Sequence, residues 1–159
     1  MTARIVGPFF LAAFLTLGLA PAGAETTSDA PRERPSDAIV LYQHLNQVRS
    51  RDGVTLLEFD RRLVEVAREH ALEMVARHYF AHTALDGRSP FDRLRDAGIQ
   101  YTYAGENMAI NVSPDAANSA LLESRPHREN MLQPHYRRVG IAAVESPEGE
   151  EVFVEEFSD

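Results

Sequence analysis

"VGIAAVESPEGEEVFVEEF", residues 139–157, decides the fold. Two apolar runs, 139–144 and 152–157, enclose Ser146-Pro147-Glu148-Gly149. Strand-forming residues on either side of a Pro- and Gly-bearing turn predict a β-hairpin. The runs are apolar at successive positions, not alternate ones. Strands of that kind are covered on both faces, so helices are expected on both sides of the sheet.

The chain upstream supplies those helices. Ser36 reads as the cap of a first helix, with Asp37 in its first turn and Ala38, Leu41, Leu45 and Val48 on one face. Asp52-Gly53 ends it. Asp60 caps a second, whose buried stripe is Leu63, Ala67, Ala71 and Met74, with His70 beside it. This helix is expected to fray at 78–80. Ser89-Pro90-Phe91-Asp92 is a helix start with Ser at the cap, Pro in the first turn and an acid three residues on, and Gly98 is its stop. Ser113-Pro114-Asp115 begins another, and 127–132 form a short turn before Pro134. Residues 100–110 are a candidate third strand. Helices first and a hairpin last give an α+β domain around an antiparallel sheet.

The opening residues read as an export leader. Arg4 precedes the apolar run 5–20, and Ala22 and Ala24 satisfy the small-x-small cleavage pattern, which places a signal peptide at 1–24. The run is shorter than the ~20 residues a spanning helix requires. Residues 25–35, polar and proline-bearing, read as a disordered linker, leaving 36–159 as one domain. Cleavage removes one arginine and no acid, so the formal charge of −8 becomes −9. That surface repels nucleic acid and anionic lipid headgroups. There is no cysteine, which excludes a thiol nucleophile and a thiolate zinc site.

Chemistry then rests on histidines and carboxylates. His44 lies off the apolar face of its helix and His135 in a turn. His70 reads as a hydrogen-bonded core residue. His78 and His82 are four apart, a spacing that on an intact helix places both rings on one face, as in zinc sites. The helix is expected to end there, so this pair alone is weak evidence for metal. His127, after Pro126, suits either a fixed functional imidazole or a capping role, and spacing does not separate the two. Glu106 and Asn107 sit side by side in "GENMAI", residues 105–110. Taken alone, Glu106 reads as an exposed acid at a strand end.

The ordered set "NQVR", "FAH", "GENMA", "SRPHRENML" and "VGIA" resembles the CAP superfamily: cysteine-rich secretory proteins, antigen 5 and pathogenesis-related proteins. Its short bacterial SCP-like extracellular members are the nearest match, over about residues 37–159. The resemblance implies a three-layer α-β-α sandwich with a central antiparallel sheet. It also implies a surface cleft where His82 and His127 bind a divalent metal, commonly zinc. Glu106 is then the acid of that cleft, on a loop where it reaches the imidazoles, and Asn107 fixes the loop. Leu121 stands where many members carry tryptophan. Ser124 takes the place of a second glutamate, with Glu123 one residue away. The implied function is an exported, periplasmic or extracellular, non-catalytic module for a metal or small ligand, its partner an unknown ligand or cell-envelope component. The alternative is a hydrolase of peptide or cell-wall bonds with Glu106 as candidate catalytic residue. A third reading makes the cluster structural.

Overall fold

The structure, a computed structural model, describes residues 30–159. The leader and the first part of the linker lie outside the described residues. In chain order the elements are β1 (Arg32–Glu33), α1 (Pro35–Arg51), β2 (Glu58–Phe59), α2 (Arg61–Arg77), α3 (Pro90–Asp96), β3 (Ala104–Asn111), α4 (Pro114–Glu123), α5 (Arg125–Met131), β4 (Arg138–Glu145) and β5 (Glu151–Ser158).

The expected hairpin is β4 and β5, antiparallel from Arg138 opposite Ser158 to Glu145 opposite Glu151. The third strand, β3, pairs antiparallel with the other side of β5. The order is therefore β1-β4-β5-β3, with β2 adding a two-residue parallel bridge to β4. β5, central and buried along its whole length, explains why its sequence does not alternate.

Successive strand residues point to opposite faces, and this period sorts the core into two layers. Ala109, Ile141, Ala143, Phe153 and Phe157 meet α1, α4 and α5 through Leu41, Leu45, Leu121 and Met131. Met108, Ala142, Val144, Val152 and Val154 meet α2 through Ala67, Ala71, Met74 and Val75. Leu94 of α3 and Ile99 extend the second layer along α2. The result is a three-layer α-β-α sandwich. Phe153 and Phe157 are fully buried, each worth about 1.5–3 kcal/mol of apolar burial. Gly140 lets α2 lie close on β4, because a Cβ there would overlap the backbone of Leu63 and Val64.

Local signals mostly act where the sequence places them. Asp60 accepts from the amides of Arg62 and Leu63. Ser89 and Asp92 form a reciprocal capping box, and Ser113 caps α4. Two expectations are corrected at the N-terminal side. The first helix starts at Pro35, with Arg34 rather than Ser36 in the cap position. The ordered domain also begins before residue 36: Arg32 and Glu33 pair with Glu145 and Val144, so the end of the predicted linker is a strand. The turn at 127–132 is a helix that begins at Arg125.

Candidate functional site: a histidine–glutamate cluster at the sheet edge

β3 is an edge strand, and "GEN" lies within it, not on a loop. Glu106 and Asn107 therefore serve opposite layers of the sandwich. This corrects the expectation that both occupy one loop: extended backbone sends adjacent side chains to opposite faces.

Glu106 points to the α2–α3 layer, and its side chain is almost wholly buried. His82 Nδ1 lies 2.6 Å from its Oε1, and Arg93 of α3 donates from Nη2 to its Oε2 at 2.5 Å. Burial opposes the charge on Glu106, but the hydrogen bonds from His82 and Glu156 and the Arg93 guanidinium outweigh it, so its pKa is lowered. Glu106 is thus an ionised acceptor, and His82 donates its Nδ1 hydrogen. The remaining nitrogen of His82, Nε2, belongs to a ring that is half exposed.

The loop bearing His82 is fixed from below. Arg93 Nη1 donates to the His82 carbonyl at 2.9 Å, and His70 Nε2 meets the Ala81 carbonyl at 3.0 Å. His70 is the buried, hydrogen-bonded core histidine its position suggests. His78 occupies the left-handed C-cap of α2, with φ 52°, and turns the chain away. The four-residue spacing to His82 therefore does not bring the two rings onto one helical face.

Asn107 points to the other layer, where it holds α5. Its Nδ2 donates to the His127 carbonyl and to Glu155 Oε2, both at 3.1 Å. Its Oδ1 accepts from Asn130 Nδ2, also at 3.1 Å, and the same Asn130 nitrogen reaches the Glu106 carbonyl at 3.3 Å. Tyr136 donates to Asn130 Oδ1 and stacks on Phe157. Through this chain His127 is seated beside the edge strand. Its ring is half-buried, and burial, then the nearby His82, lower its pKa. Neutral imidazole is the form that accepts a hydrogen bond or a metal.

Sequence reasoning missed three charged members. Glu156 stands opposite Glu106 in the strand pairing, 3.7 Å from Arg93. Burial and the Glu106 charge push its carboxyl well above the usual range, so it stays protonated. Glu155 is fully buried and raised to about 7, chiefly by burial, although Asn107 lowers it. Two adjacent glutamates inside the apolar run "VFVEEF" were the available signal, since carboxylates are almost never fully buried without partners. Arg93 carried no comparable signal. Ser124 forms the corner between α4 and α5 and caps neither with its side chain. Its backbone bonds stay within those helices, and Glu123 is exposed on α4. Neither supplies a fourth side chain to the cluster through any hydrogen bond or ion pair among the described residues.

The model of the cysteine-rich secretory protein family, CAP, matches residues 42–157. The chain belongs to the CAP family. The uncharacterized protein YkwD of Bacillus subtilis is 34% identical over 135 residues, which are 82% of this chain and 52% of that one. This CAP chain thus spans about half the length of that relative. An extracellular SCP-domain protein of Bacillus anthracis superposes with a TM-score of 0.72 at 26% identity, covering 78% of this chain and 40% of that structure. An outer surface protein of Borrelia burgdorferi gives 0.75 at 22% identity, over 80% and 97% of the two chains. No helix among the described residues is long and apolar enough to cross a membrane.

Proposed function

We propose that this CAP domain is an exported binding module whose cleft takes a divalent cation, zinc by its donor chemistry, or a small ligand through His82 and His127. One observation carries the reading: a buried, ionised Glu106, clamped by Arg93, holds His82 Nδ1 at 2.6 Å. A carboxylate on one imidazole nitrogen fixes the tautomer and leaves the other nitrogen as a lone pair. Among the described residues no group of three or more His, Cys, Asp or Glu side chains is placed to hold an ion. Glu106 has both oxygens engaged, so the protein donors that fit are the two imidazoles, with Glu106 as their orienter. A bound zinc ion would supply a Lewis-acidic centre whose other positions go to water or to a donor of the ligand. The leader, the exported location and a cell-envelope partner are parts of the same proposal.

Calorimetric titration with zinc chloride at pH 7.5 and 5.5 tests it. Binding at the higher pH that falls at least tenfold at the lower, and that is lost in His127→Ala, is expected, because protonated imidazole does not ligate. Equal heats at both pH values, or an unaffected His127→Ala, would overturn it.

The His82–Glu106 pair also favours a second reading, hydrolysis, because a carboxylate-oriented imidazole is the form of a general base. No hydrogen bond links Ser124 to either ring among the described residues, so the nucleophile would be water. Peptide and peptidoglycan substrates, with Glu106→Gln as the control, distinguish turnover from binding.

A further inference from the structure

A cleft of about 500 Å³ opens between α2 and α3, with Arg93 but not His82 in its lining. Along α2 its lining residues recur every three or four positions, and they include Val66, Glu69, His70 and Glu73. Arg93 and Asp96 line the α3 side.

Most charges around this cleft already have partners. Glu65 is held by Arg68, and Arg88 by Asp86 and Asp96. Arg93 is committed to Glu106 and to the His82 carbonyl. Glu69 and Glu73, one helical turn apart, form no ion pair among the described residues. An i,i+4 pair of like charges is mildly destabilising to the helix that bears it.

The second observation is His70. It is 1% exposed and is one of the residues that line the same cleft. Its Nε2 is occupied by the Ala81 carbonyl, which requires the hydrogen on Nε2 and leaves Nδ1 as a bare acceptor. That Nδ1 is buried and meets no hydrogen-bond partner among the described residues. An unsatisfied buried acceptor is costly and uncommon in folded proteins. Glu69, which meets no cation, Glu73, which has only the Tyr79 hydroxyl as a neighbouring donor, and the unpaired imidazole nitrogen are all acceptors, and the ligand that answers them is a cation rich in N–H donors.

We propose that the α2–α3 cleft binds a primary ammonium group, with Glu69 and Glu73 supplying the counter-charge, His70 Nδ1 an acceptor and Val66 an apolar wall for the adjoining methylenes. The volume admits one short alkylamine. The ammonium can come from a free diamine or from a lysine side chain of a peptide, and the two sources share this chemistry. A divalent ion fits less well, because three converging ligand side chains are absent among the described residues.

Calorimetry on the whole chain at pH 7.5 tests it with 1,5-diaminopentane and with Nα-acetyl-lysine amide, tetramethylammonium serving as a charge-matched control without N–H groups. Saturable binding of either amine, weakened at least tenfold in Glu69→Gln/Glu73→Gln and absent for tetramethylammonium, is expected. Binding of the diamine alone assigns a free amine, and binding of the lysine probe assigns a peptide source. His82→Ala and His127→Ala should leave it unchanged, which keeps this site separate from the histidine cluster. No heat with either amine, equal binding by the double variant, or tetramethylammonium binding as well as the amines would overturn the proposal. Glu69 is exposed and Glu73 half-buried, and circular dichroism of the double variant shows whether a loss is unfolding.

Discussion

Glu106 and Asn107 are adjacent in the chain and hold opposite layers of the sandwich. Glu106 binds His82 and Arg93 on the α2–α3 side, and Asn107 binds the His127 carbonyl and Glu155 on the α5 side. One dipeptide of an edge strand thus holds the His82 ring and the His127 backbone.

Replacing Asn107 by Ala removes three hydrogen bonds and strands a buried carboxyl. A buried group left unsatisfied costs about 1–3 kcal/mol. Asn107→Ala should therefore lower unfolding free energy by about 3 kcal/mol in urea titrations, and weaken any ligand that requires His127 as well.

Glu106→Gln takes the counter-charge from Arg93. Breaking a buried ion pair typically costs about 3–5 kcal/mol. The loss should fall near the lower figure, because Glu156, 3.7 Å from Arg93, can ionise in its place. Thermal unfolding reads the stability, and zinc titration should show affinity lower by about 10–100-fold as the orienting carboxylate is lost.

Glu155 gives stability a pH dependence of definite sign. Its folded pKa of about 7 lies above the ordinary carboxyl value of 4.5. Between those values the folded protein keeps a proton that the unfolded chain has released, so stability falls as pH rises through the window. Glu156 is shifted in the same direction. The Glu155 contribution is on the order of 2–3 kcal/mol between pH 4.5 and 7. Denaturation midpoints should drop from pH 5 to pH 8, and Glu155→Gln should flatten that slope.

Gly105 precedes the two site residues on β3, and a Cβ there would overlap the Tyr136 hydroxyl and crowd Asn130 Oδ1. Tyr136 cannot swing aside without leaving its stack on Phe157. Gly105→Ala should cost about 1–3 kcal/mol as an overpacked variant. The hydrogen-bond network to Asn107 should loosen with it, visible as faster exchange of the α5 amides.

Caps and hairpin were legible because they are local. Asp60, Ser89 and Ser113 bond to amides two or three residues away, and the turn at 146–149 joins strands already adjacent in the chain. β1 and β2 left no trace, since a two-residue strand has no period to read. Of the candidate site, His82, His127 and Glu106 are named by the ordered motifs. Their supports were not: Arg93 is 13 residues from Glu106, Asn130 is 23 from Asn107 and Glu155 is 48 from Asn107. Contacts at such separations follow from the layer arrangement, which no window of sequence displays. Glu106 was placed on a loop because an acid in an edge strand looks like a strand end until its buried arginine is known.

The two short strands beside β4 bear on self-association. β1 occupies the Val144–Glu145 end of its outer margin and β2 the Arg138–Val139 end. An exposed, continuous strand margin invites a second chain to add itself, and natural sheets obstruct this with brief interruptions. Pairing at both ends leaves an incoming strand too little uninterrupted backbone to grip, so growth by strand addition is blocked on the β4 side of the sheet.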